Sequence, residues 1–238
     1  MCTLAWLYVL YMVWGMEHMD AGADMAIMPR MAAWNGVDLF LVFAMWAVMM
    51  IAMMLPSATP MILVFVKVNQ RRRAQSESYV HPAVFMAGYI VIWMAFSGIA
   101  AIAQWGLLEA RLVSPMMAST SPALGGGLLI CAGSYQFTPL KHTCLSKCRS
   151  PLSFIMTEWR IGVRGAFIMG LRHGLYCTGC CWLLMVLLFV VGVMNLLWIA
   201  ALAAAILLEK TLPNVRWLST AIGLLLVGWG IVVLRQAF

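Results

Sequence analysis

Apolar residues run along this chain in blocks of helix-spanning length, with short polar stretches between them. The blocks lie at roughly 2–15, 37–66, 82–107, 123–140, 165–193, 195–208 and 217–234. A run of about 18 or more apolar residues predicts a helix that crosses a bilayer. The predicted fold is therefore all-α: a polytopic transmembrane helical bundle of six or seven spans, forming a single integral membrane domain over 1–238. The count turns on the first block, which is short for a span. It lacks a basic lead, so it is not read as a cleavable signal peptide. Almost no loop separates 165–193 from 195–208, which predicts antiparallel neighbours.

Composition agrees with the pattern. Hydrophobic residues make up 64% of the 238 and charged residues only 10%, which excludes an ordinary soluble domain. The net charge of +7 is explained by the positive-inside rule rather than by nucleic acid. Arg71, Arg72 and Arg73 sit in one inter-block loop. Lys141, Lys147, Arg149, Arg160 and Arg164 sit in another, and both loops are placed in the cytoplasm. The loop with Glu17, Asp20 and Asp24 is acidic and is placed outside. The partner these features imply is the lipid bilayer.

Candidate chemistry concentrates at the head of the 165–193 block, in the stretch from Gly170 through Arg172, His173, Cys177 and Cys180 to Cys181. On a helix, Met169, His173, Cys177 and Cys180 share one face at spacings of four, four and three. Cys181 lies close by. Thioether, imidazole and thiol are soft ligands that suit Cu(I) first and Zn(II) second. Arg172 is an ionisable group in an apolar span, a functional-site hypothesis by default. It is expected to offset the charge of a bound thiolate. A packing role competes with this reading, because buried Cys is a small hydrophobe and Gly170 and Gly174 suit a close helix contact. Thiol redox chemistry at Cys177-Thr-Gly-Cys180 is a third reading, though two Cys three apart on an intact helix are poorly placed to bridge.

Two further groups extend the site. His142, Cys144 and Cys148 lie in a basic loop that would receive or release metal at the cytosolic face. Their number falls short of a closed zinc site. In the second block, Met45, Met49 and Met53 form a stripe at spacing four, with Met50 and Met54 beside it. The stripe is a path of weak, exchangeable thioethers for Cu(I), or flexible core filler. Pro56 and Pro60 follow at once and predict a broken helix lining a cavity, with Ser57 and Thr59 re-satisfying part of the backbone. No nucleotide loop and no hydrolase triad spacing occurs. Enzymatic turnover is not expected.

Three stretches carry a resemblance. They are Met53-Met-Leu-Pro-Ser-Ala-Thr-Pro-Met61, then Tyr135-Gln-Phe-Thr-Pro-Leu-Lys-His-Thr-Cys144 with Cys148-Arg-Ser-Pro151, then Gly170 to Trp182 with Gly192-Val-Met-Asn195 and Glu209-Lys210. The chain resembles the bacterial family of predicted metal-binding integral membrane proteins, domain of unknown function 2182. The resemblance implies a multi-pass protein of the bacterial inner (plasma) membrane with a metal site. The expectation is a Cu(I)-binding protein for membrane transport or for delivery to a copper enzyme, with a metallochaperone or the enzyme as partner. A structural or assembly subunit of a larger membrane enzyme is the main alternative.

Overall fold

The computed structural model describes residues 3, 6–8, 10, 11, 35–75, 79–110, 112, 121–193, 195–212 and 216–236. The first predicted span and the acidic loop after it fall largely outside the described residues. Among the described residues there is no strand. The helices are α1 (Gly36–Ala74), α2 (Pro82–Glu109), α3 (Pro122–Tyr135), α4 (Pro139–Arg149), α5 (Pro151–Glu158), α6 (Gly162–Val186), α7 (Leu188–Val191), α8 (Leu196–Thr211) and α9 (Arg216–Arg235). Among the described residues, four stretches are long and apolar enough to cross a membrane: α1, α2, α6 continued through α7, and α9.

The predicted spans 123–140 and 195–208 correspond to α3 and α8, of 14 and 16 residues. At 1.5 Å per residue they are roughly 21 and 24 Å long. The first stops at Tyr135 because Pro139 cannot donate into a continuing helix. Thr138, held extended by the proline after it, instead caps α4 by accepting from the Lys141 backbone N–H. The stretch expected as a basic loop is thus two helices, α4 and α5.

The predicted break at Pro56 and Pro60 does not occur, since α1 runs through both prolines for 39 residues. The reason lies in where the surrounding carbonyls find donors. The Trp6 indole donates to the Ala52 carbonyl, the partner that Pro56 cannot serve, at 3.1 Å. Ser57 and Tyr89 hydroxyls both donate to the Met54 carbonyl, at 2.8 and 3.2 Å, and Thr59 donates to that of Leu55 at 3.1 Å. The carbonyl that Pro56 leaves without its helical donor is thus served by a remote side chain, and hydroxyls add bonds to the two carbonyls just before Pro56.

Two glycine seams set the packing. Along α2 and α6, a Cβ at Gly170 would collide with the Phe85 carbonyl and one at Gly88 with that of Phe167. At Gly174 it would stand 2.9 Å from the Ile92 side chain. The close contact expected of Gly170 and Gly174 is therefore made, with backbone against backbone at Gly170. Along α3 and α9, Gly126 opposes Gly230 and Gly133 opposes Gly223. The main apolar core gathers Trp46, Met50, Met53, Tyr89, Trp93, Cys177 and Leu184. A second core, with Met61, Phe65, Phe85, Phe154 and Met169, forms beside α5 and the start of α6.

Candidate metal centre

The α2–α6 seam brings Tyr89 against Cys177. The Tyr89 hydroxyl lies 3.0 Å from the Cys177 Sγ. From the end of α8, the Lys210 ammonium donates to the same sulfur at 2.9 Å and to the Ser57 hydroxyl at 3.1 Å. Cys177 is thus the meeting point of α1, α2, α6 and α8. Cys180 and Cys181, both buried, donate their thiols back to the Cys177 carbonyl, each at 3.0 Å.

A second set of thiols comes from α4, where Cys144 and Cys148 are one turn apart and face α6. The Cys144 sulfur lies 2.9 Å from where a Cβ at Gly179 would stand. Cys148 is buried and stands beside Cys180. That contact, and then burial, hold the Cys148 thiol well above the ordinary thiol range, and burial pushes Cys144 up as well. Both are therefore neutral thiols as they stand. His142, half-buried, lies about 200° around α4 from Cys144, so it is not on the thiol face.

His173 is 2% exposed and surrounded by rings. Tyr89 and Phe85 stack on it at 5.5 and 6.0 Å between centroids, and Phe154 meets it edge-on at 5.5 Å. Its Nδ1 is buried with no hydrogen-bond partner among the described residues. Met169 belongs to the second core, and its sulfur accepts from the Arg160 backbone N–H at 3.4 Å. Met49 and Met53 are buried in the main core, 3% and 1% exposed.

The expected electrostatic role of Arg172 is not the one its geometry serves. Arg172 pairs with Glu158 and is 42% exposed, so its charge is directed to α5 rather than to the thiols. Lys210 stands beside the sulfur instead. Among the described residues, no three His, Cys, Asp or Glu side chains converge to hold an ion as they now stand. Cys180 and Cys181 both turn to a backbone carbonyl, and ligation requires their rotation about χ1.

The model of the PpoB2 copper chaperone family matches residues 43–233. The chain belongs to this copper chaperone family. No curated protein and no solved structure gives a significant match. The matched region takes in α2 to α8 whole and most of α1 and α9, so the thiols of α4 and α6, Tyr89 and Lys210 are all family territory.

Sequence reasoning missed Lys210 and its neighbours. Charges at the end of an apolar block have the pattern of a solvated turn, yet Glu209 and Lys210 are 2% and 8% exposed. Glu209 accepts from Lys141 at 2.7 and 2.9 Å and from the Ser219 hydroxyl at 2.8 Å, and Gln136 completes the set by accepting from Lys141. A usable signal existed. Two opposite charges closing an apolar helix point about 100° apart, so each needs its own partner.

Proposed function

We propose that the chain is an integral membrane protein of the bacterial inner membrane that binds Cu(I) at the α4–α6 thiols. It passes the ion across or within the membrane, or delivers it to a copper enzyme. Cys177 and Cys180 are the core ligands in this reading. Cys181 and His173 are at hand, and Cys144 and Cys148 are the exchange ligands toward the cytosol. Membership of a copper chaperone family supports the metal. The observation that supports the site is the approach of Cys144 and Cys148 on α4 to Gly179 and Cys180 on α6, with the buried Lys210 on the neighbouring Cys177. Packing alone does not require so many soft donors on facing helices. The short α3 and α8 would complete a six- or seven-span bundle by inserting beside the four long stretches. The basic loops then put α4 at the cytosolic face.

A bound thiolate must be deprotonated, so binding Cu(I) releases protons from the ligating thiols. Thiols draw Zn(II) as well, so zinc is the competing ion. The test is elemental analysis of protein purified anaerobically in mild detergent and loaded with Cu(I), run beside a Cys177→Ser/Cys180→Ser variant. Near-stoichiometric copper in the wild type, lost in the variant, is the expected outcome. Wild-type protein that takes up neither copper nor zinc would sink the proposal and leave packing as the role of these cysteines.

A further inference from the structure

We infer that Lys210 is the counter-charge that makes the buried thiols accept a monovalent soft ion in preference to a divalent one. The inference rests on Cys177 and Cys180 being ligands, as proposed above. Its basis is a count of charge in a buried place. Lys210 is 8% exposed, and its ammonium meets a sulfur at 2.9 Å and a hydroxyl at 3.1 Å rather than a carboxylate. The carboxylate next to it in sequence is already engaged. Glu209 is closed in a neutral pair with Lys141, the two side chains 2% and 0% exposed, and Ser219 binds the same carboxylate. Arg172 is likewise matched by Glu158. Among the described residues no carboxylate meets the Lys210 ammonium, so its counter-charge has to come from the thiols it faces, and a buried charge without compensation is costly.

Cu(I) held by two thiolates carries one net negative charge. With the Lys210 ammonium the assembly is neutral, the cheapest state in apolar surroundings. Zn(II) or Cu(II) on the same two thiolates is already neutral, so the ammonium leaves an excess positive charge. A divalent ion would have to recruit a third thiolate. Cys180 and Cys181 both donate to the Cys177 carbonyl, so ligation by Cys177 and Cys180 costs one such contact and recruiting Cys181 costs a second. The same lysine thus favours one charge state of cargo and penalises the other.

The experiment uses the full chain in mild detergent under anaerobic conditions. Cu(I) and Zn(II) affinities are measured separately by competition with chromophoric chelators, for wild type, K210M, K210Q and K210R. The Cu(I)-over-Zn(II) affinity ratio is expected to fall at least about tenfold in K210M, the size a charge-assisted contact carries. K210R, which keeps the charge, is expected to hold the wild-type ratio. K210Q keeps a donor for Ser57 without the charge, and carries the same expectation as K210M should the methionine variant fail to fold. A neutral variant that binds both ions at the wild-type ratio overturns the role of Lys210 and leaves the thiol site standing. Wild type that binds neither ion removes the thiol site itself, and the role of Lys210 with it.

Discussion

His173 shows how one residue can satisfy packing and still hold chemistry in reserve. Three rings surround the imidazole, yet its Nδ1 has no hydrogen-bond partner among the described residues. A buried polar atom without a partner costs about 1–3 kcal/mol, and replacing it with an apolar group of similar shape is near neutral. His173→Leu is therefore expected to leave stability in detergent within about 1 kcal/mol of wild type, while weakening Cu(I) binding. A clear loss of thermal stability together with unchanged copper affinity would mark His173 as packing only. The imidazole and the cysteines of α6 were legible in the sequence because their spacing is a property of one helix. Lys210 was not. Its neighbours come from α1 and α6, and a charge at a helix end reads as solvated until those helices are in place.

Among the elements, α1 and the α2–α6 seam carry the contrast between local rule and context. Pro56 and Pro60 each remove a backbone donor, which locally predicts a break. The helix runs on through both, with the Trp6 indole serving the carbonyl that Pro56 leaves without its donor and Ser57, Thr59 and Tyr89 donating to the carbonyls just before Pro56. The seam follows the sequence more closely, since glycines four apart predict close approach and the helices do meet there. Gly170→Ala should cost at least about 1–3 kcal/mol, the usual penalty of overpacking, because its methyl group would meet the Phe85 carbonyl. Gly127→Ala, whose Cβ meets nothing within 4 Å, should be neutral or gain about 0.5–1 kcal/mol from the stiffer helix. Thermal unfolding of the two variants in the same detergent checks the pair. Equal effects would mean that α2 and α6 do not touch at Gly170.

For the whole molecule, the proposed site joins elements that are distant in the chain. Cys148 comes from α4, Cys177 and Cys180 from α6, and Lys210 from α8. An ion held by Cys177 and Cys180 beside Lys210 occupies a place that exists only when these helices are packed, so it should stabilise the entire fold rather than one helix. Free Cu(I) at about a hundred times its Kd is expected to add about 2.7 kcal/mol by mass action. The gain should vanish in Cys177→Ser/Cys180→Ser. Unfolding curves with and without the ion read this directly. A wild type that binds copper without gaining stability would mean that the ion does not link these helices in the folded state.

The sequence alone determined the helical class, the apolar blocks, the glycine seam and the shared face of His173, Cys177 and Cys180. These depend on composition and on the 3.6-residue helical period, both local quantities. The tertiary structure alone decided which charge stands beside the thiols, that α4 is a helix facing α6, and that α1 survives its prolines. Each of these outcomes depends on donors and charges brought from remote parts of the chain. In a nearly dry interior a polar group must find a partner, and only the packed helices determine which partner is within reach.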